Sequence, residues 1–344
     1  MSLSNKEEKI LKSIKVNSEN DPSNPEFPAD NPKFPATPTY EIEVPSFSDV
    51  WLKDESVNLT GTHKDRMAWE MVVTYRDFLL AKKRGQVETL LPQMSLISSG
   101  SAAIAIQTQF RKHGLPDLKV LVDHNIDAFI LKSMKKIGCE VYEFDLSRKA
   151  LNWKEILALT KNENGFDITS SEALDPTTRF YDWMSYEIIN SSPDYCFIPF
   201  GTGNLFENIL NINKKEVSTK NHDPRFSGDI KKLRACNFVG ATSNNPNSKA
   251  DKLYSPHLPF VHFDEQWMTL YKYSGFCGPN SNVKLVQENY LDEAIALAER
   301  QEINCEPSGI AGLAMLLQMK KEVKKDKKIL IVNTGKTKYP DDSD

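Results

Sequence analysis

Cysteine is scarce. Five residues in 344 (Cys139, Cys196, Cys236, Cys277 and Cys305) make an odd, widely spaced set with no C-x-x-C pair. A disulfide-built scaffold and a zinc module are therefore excluded, and no metal-ligand set is recognised. Long hydrophobic runs are lacking too: none approaches the ~18 residues that a membrane helix needs. Met1–Ile10 is polar, with Lys6, Glu7, Glu8 and Lys9, and has no secretory-type apolar segment. A cytoplasmic protein without membrane contact is expected. Charge of one sign is not in excess, since 43 basic and 47 acidic residues leave a net −4 spread along the chain. That argues against a nucleic-acid-binding surface. There is no repeat of fixed period and no G-x-x-x-x-G-K-[ST]. What remains is 40% hydrophobic and 26% charged residues, an ordinary globular balance. The length suits two domains or one large α/β unit with a sizeable core.

The chain changes texture twice. Lys6–Lys15 can form one short helix. Prolines at 22, 25, 28, 32, 35 and 38 then exclude helix or central strand and predict an extended arm. From Tyr40 onward, short β-rich runs alternate with helical patterns. Strand-length runs are Phe47–Leu52, Ser95–Ser98, Val120–Val122, Val141–Phe144, Tyr195–Phe200, Phe238–Thr242 and Ile329–Val332. Helical stretches are Asp65–Arg84, Ala102–Lys112, Ala128–Ile137, Asp182–Asn190 and Gly309–Lys325. Such alternation reads as βαβ units with a parallel sheet. The runs Tyr195–Phe200 and Ile329–Val332 are apolar throughout, which fits strands buried on both faces. The lysines of Lys320–Lys328 read as the cationic end of a helix.

Four segments carry chemistry. In Asn58-Leu59-Thr60-Gly61-Thr62-His63-Lys64-Asp65-Arg66, a turn feeds a long helix, so Lys64 stands at a helix start. A cation there opposes the helix dipole, which favours the neutral, nucleophilic amine. Ser98-Ser99-Gly100-Ser101 is a small-residue turn between strand and helix, suited to holding a carboxylate or phosphate. Gly201-Thr202-Gly203-Asn204-Leu205 follows the apolar strand ending at Pro199. Phe206 stands where a dinucleotide fingerprint needs its last glycine, so a loop for one phosphate monoester is the better reading. Last come Cys305-Glu306-Pro307-Ser308-Gly309 and Asn333-Thr334-Gly335. Thr334 lies directly after a buried strand, where open α/β sheets bind ligands, and offers a hydroxyl and not a carboxylate.

In this order, over about residues 37–340, the four segments resemble the tryptophan-synthase-β-like, fold-type II pyridoxal-phosphate (PLP) enzymes. TGTHKDR looks like the family's cofactor-lysine segment, FIPFGTGN like its phosphate loop, and SSGS stands at its substrate loop. CEPSGIAGLA and ILIVNTGKTKYPDD look most like the threonine-synthase branch, with cysteine synthase close by. The resemblance implies an α/β protein of two domains, each an open, mostly parallel sheet flanked by helices, with pyridoxal 5′-phosphate in the cleft between them. It implies an arm over 1–38, a large cofactor-binding domain over 39–88 and 178–344, and a small mobile domain over 89–177. Lys64 would carry the cofactor as a Schiff base and then act as general base and acid. Gly201, Thr202, Gly203, Asn204 and Leu205 would hold its phosphate, and Ser99, Gly100 and Ser101 the substrate carboxylate. Thr334 would meet the pyridine nitrogen, while Glu306 and His63 would face the same cavity. A small amino-acid substrate and a homodimer follow from the same resemblance.

Two departures qualify it. Ser101 replaces the family's loop asparagine, which contacts the cofactor, and the tail reads TGKTK without the second glycine common in the threonine-synthase branch. The expected reaction is β-elimination or replacement, threonine-synthase-like on O-phosphohomoserine. Cysteine synthase or a serine/threonine dehydratase is the alternative within the family. A catalytically degenerate PLP-binding regulator is the alternative outside catalysis. Cations for a substrate phosphate would come from Lys132, Arg148 or Arg179.

Overall fold

The computed structural model describes residues 3–14, 34–169, 180–254 and 271–340. The expected proline-rich arm falls largely outside them. The elements run α1 (Asn5–Ser13), β1 (Thr39–Glu41), β2 (Val50–Asp54), α2 (Lys64–Lys83), β3 (Met94–Ile97), α3 (Ser101–His113), β4 (Lys119–Asp123), α4 (Ala128–Lys136), β5 (Glu140–Phe144), α5 (Trp153–Leu159) and β6 (Phe166–Asp167). They continue with α6 (Asp182–Asn190), β7 (Tyr195–Pro199), α7 (Asn204–Ser218), α8 (Ile230–Ala235), β8 (Asn237–Thr242), β9 (Asn282–Leu285), α9 (Glu288–Arg300), α10 (Ala311–Gln318) and β10 (Ile329–Asn333).

Two sheets result. One has the order β1-β2-β10-β7-β8-β9, parallel except for the edge strand β1. The other, β5-β4-β3-β6, is wholly parallel. The apolar runs explain the layering. On β10, Ile329 and Ile331 join a core with α9 and α10, while Leu330 and Val332 join a core with α2, α6 and α7 on the other face. Tyr195 and Phe197 divide from Cys196 and Ile198 in the same way on β7. Strands covered on both faces cannot show a polar alternation. In the smaller sheet, Leu96, Val120 and Val122 face α3 and α4, and Ile97 and Leu121 face Ile156 of α5.

Two expectations shift. The strand begins at Val50, not Phe47, because Val50 pairs with Ile329 while Phe47 lies in a turn. The lysine-rich stretch does not close a helix. Helix α10 stops at Gln318, and Val323 folds back into the core, so Lys320–Lys328 form turns leading to β10. There Lys327 reaches Asp194 at 3.2 Å and Lys328 donates to the Ser191 carbonyl at 2.7 Å. Among the described residues, no helix is long and apolar enough to cross a membrane.

Helix α1 starts with a capping box: Ser4 accepts from the Glu7 N–H, and the Glu7 carboxylate accepts from the Ser4 N–H. It docks on α2 through Leu3, Ile10 and Ile14, and through a buried Glu7–Lys82 ion pair of 2.6 Å. The hydrogen bond from Lys82 pulls the Glu7 carboxyl down from 4.5 to about 2. A depressed carboxyl contributes stability that is full above its unfolded value and fades as pH falls through the folded one. The melting-temperature gap between wild type and Glu7→Gln is therefore expected to narrow as pH drops from above 4.5 towards 2. A gap independent of pH would show that the pair does not stabilise α1.

Candidate active site

All parallel strands of a βαβ sheet end on the same edge, and the loops after those ends make the cleft. Here the ends of β2, β10 and β7 meet the ends of β3 and β4 around one cavity of about 470 Å³. His63, Lys64, Ser99, Ser101, Gly201, Thr202, Gly203, Asn204, Leu205, Glu306 and Thr334 all line it. Gly100 lies between two lining serines as the N-cap of α3.

Three helices point their N-termini at this cavity. Helix α2 begins at Lys64, α3 at Ser101 and α7 at Asn204; none of their N-cap residues caps through its side chain, although Thr62 Oγ1 accepts the Lys64 N–H at 3.2 Å and Ser98 Oγ the Ala103 N–H at 3.4 Å. In α7 the N-cap is Gly203, in the left-handed region at φ 85°. The N–H groups of the first turn are thus not taken by a side chain, on a wall that Gly201 to Phe206 line. Backbone donors and dipoles aimed at one point suit anions. The loop fits a phosphate monoester, and the α3 terminus a carboxylate.

The Lys64 loop is held from two sides. Gly61 and Gly335 sit back to back with φ of 81° and 94°. A Cβ on Gly335 would lie 2.0 Å from the Gly61 carbonyl oxygen, and one on Gly61 would lie 2.2 Å from that of Lys336. Only glycine permits this approach. It lets His63 N donate to the Thr334 carbonyl at 3.1 Å, Lys336 N to Gly61 at 2.9 Å and Glu306 N to Gly335 at 3.2 Å. The loops bearing Lys64, Thr334 and Glu306 are so tied to one another.

From below, the loop rests on a buried charge network. Arg66 makes bidentate bonds to Glu55 (2.7 and 2.9 Å) and to Glu187 (2.9 Å each). Lys53 also pairs with Glu187. Asn58 joins the two systems, donating to Glu55 at 2.8 Å and to the Thr62 carbonyl at 3.1 Å. Burial pushes the Glu55 carboxyl up, but the Arg66 guanidinium overcomes this and holds it at about 2. The four charges cancel, which is what a buried set requires.

Electrostatics at the cavity wall follow. Desolvation first, and the adjacent Lys64 charge second, push the His63 imidazole down to about 3. The ring is therefore neutral at physiological pH. The Lys64 Nζ donates to the Tyr181 hydroxyl at 3.0 Å. Glu306 pairs with Lys252, which also donates to Thr337 at 3.3 Å. The Ser101 hydroxyl is engaged with Thr337 Oγ1 at 2.7 Å, which ties the start of α3 to the C-terminal segment. Tyr181 and Lys252 carry no motif in the sequence and are brought in by long-range packing alone, whereas Thr337 belongs to the TGKTK tail.

A family model described as "Pyridoxal-phosphate dependent enzyme" matches residues 33–335. The chain belongs to this family. Its cofactor is pyridoxal phosphate, which the anion-binding loop and the cavity lysine fit. Solved structures agree on the fold, α/β with parallel sheets flanked by helices as in the two-domain fold type II. Diaminopropionate ammonia lyase from Escherichia coli is 12% identical with a TM-score of 0.62, over 96% of this chain and 89% of that one. O-ureido-L-serine synthase is 16% identical at 0.60, covering 88% and 89%. Maize serine racemase is 16% identical at 0.56, covering 83% of each. No curated protein matches by sequence.

Proposed function

We propose that this PLP enzyme catalyses elimination or replacement at Cβ of a serine-, homoserine- or threonine-like amino acid. The observation that carries the reading is the Lys64 amine, in a cavity onto which three helix N-termini open. When bound, the cofactor supplies the electron sink for a carbanion at Cα. The chain's residues supply the rest. Lys64 holds the cofactor and moves the Cα proton through Nζ. The N–H groups after Gly203, with Thr202, bind the phosphate. Ser99, Gly100 and Ser101 bind the substrate carboxylate at the start of α3. Thr334 meets the pyridine nitrogen with a hydroxyl. A neutral hydroxyl there, in place of a carboxylate, would favour loss of a β-substituent over transamination. Glu306 and neutral His63 border the reacting centre.

A threonine-synthase-like reaction on O-phosphohomoserine leads; there the phosphate leaves from Cγ once a second proton is taken from Cβ, and water then adds at Cβ. It needs cations for a substrate phosphate. Lys252 lines the cavity but is paired with Glu306. Arg148 is exposed and paired with Asp145 at 2.9 Å, and Arg179 falls outside the described residues. A cysteine-synthase or hydroxyamino-acid dehydratase reaction is the second reading, and O-ureido-L-serine synthase among the structural neighbours favours it. A non-catalytic PLP-binding regulator would follow from Ser101's engagement with Thr337.

An absorbance spectrum of the protein with PLP separates these. Serine, O-acetylserine, threonine and O-phosphohomoserine are added in turn. A spectral shift with one of them, plus release of a 2-oxo acid, acetate or phosphate, names the reaction. A cofactor band that ignores all four sinks the catalytic reading in favour of the regulator. The same proposal includes a cytoplasmic homodimer in which residues 89–177 close as a small domain to exclude water. Light scattering, and small-angle scattering with and without substrate, test those two features.

A further inference from the structure

A lysine that alternately holds a cofactor and stands free needs somewhere to put its amine. Its stem is flexible, with about 2 kcal/mol of rotamer entropy. A free amine that wanders loses the alignment that proximity catalysis requires. Tyr181 meets that need. It lies directly before α6, is 1% exposed, and its hydroxyl accepts the Lys64 N–H at 3.0 Å. Lys64 Nζ lies 5.6 Å from the ring centre, beyond the hydroxyl and not over the ring face, so the hydroxyl is what the amine meets. The ring is fixed by His63, 5.4 Å away at a 33° tilt, and by Phe180 at 6.4 Å. Among the described residues, Lys64 has no carboxylate partner. A carboxylate would trap it as an ammonium ion, whereas a neutral hydroxyl orients the amine and leaves its lone pair for the cavity.

We propose that Tyr181 is a positioning residue for Lys64, holding its amine towards the cavity whenever that amine is not covalently engaged; this rests on the reading of Lys64 as the cofactor lysine. Tyr181 takes no covalent part. One hydrogen bond is made when the amine is released and broken when it is recaptured.

The test is the rate at which apoprotein captures PLP, followed by visible absorbance across pH, in wild type and Tyr181→Phe. Borohydride reduction and peptide mapping then locate the pyridoxyl group. The variant is expected to capture PLP about tenfold more slowly at the high-pH plateau, the effect of one lost hydrogen bond to a charged or reacting group. The PLP concentration that half-saturates the capture rate is expected to be unchanged, because Tyr181 acts on the amine and not on the phosphate loop. The label should still fall on Lys64. A variant profile superimposable on wild type overturns the proposal. So does slower capture with a raised half-saturating PLP concentration and a lowered melting temperature, which is the mark of general disturbance. If wild type itself carries no label on Lys64, the cofactor-lysine reading has failed, and the role of Tyr181 fails with it.

Discussion

Lys64→Ala protein is expected to form no covalent link to PLP and to lose at least about 10³-fold in turnover. One residue supplies both the attachment and the proton transfer at Cα, and general acid–base catalysis alone contributes about 10²–10⁴-fold. The fold should survive. Lys64 is half-buried on the cavity wall and takes no part in the Arg66 network below it. A change in melting temperature within about 2 °C is expected for such a site. The measurement is borohydride trapping with peptide mapping, alongside the spectrum. Lys252 is the discriminating control, because it also lines the cavity. Lys252→Ala should keep the label on Lys64. A label that persists in Lys64→Ala and disappears in Lys252→Ala would move the cofactor to Lys252 and overturn the site as drawn.

The second large effect is on stability. Arg66→Leu is expected to cost about 3–5 kcal/mol, the range for removing one partner from a buried ion pair. Glu55 would remain fully buried without its bidentate partner, and Glu187, among the described residues, would keep Lys53 as its charged partner and the Thr37 N–H at 3.4 Å. Glu55→Gln alone should cost nearly as much. The double variant should cost clearly less than the sum, because each change removes part of the other's penalty. Urea unfolding of the four proteins measures this. A loss under 1 kcal/mol for Arg66→Leu would mean that the network is not what holds the loop. The site should respond as well. Asn58 bridges Glu55 to the Thr62 carbonyl, two residues before Lys64, so capture of PLP should slow even where the protein stays folded.

Legibility in the sequence was uneven for physical reasons. Helix α6 has the range its pattern gives, Asp182–Asn190, and α2 differs by a residue at each end. The continuous apolar runs at Tyr195 and Ile329 became central strands because helices cover both faces. The sequence pattern does not show strands β1, β6 and β9, and β6 is only two residues long. Every residue of β1 is exposed, and β9 is at most half-buried, so neither carries a hydrophobic signature. Helix α9 was missed although it buries Leu291, Ala294, Leu297 and Ala298 on one face, a helical spacing that the sequence does contain.

The sequence by itself determined the βαβ alternation, the family resemblance and the set of loops that line the cavity. Each of those is a local pattern of strand, turn and helix, and a parallel sheet necessarily gathers the loops after its strands on one edge. Only the tertiary structure decided what each side chain meets there. Lys64 and Tyr181 are 117 residues apart, and Ser101 and Thr337 are 236 apart. Arg66 of α2 meets Glu55 after β2 and Glu187 of α6. Such pairs depend on how the layers stack and in which register β2, β10 and β7 lie together. No period within one element encodes that.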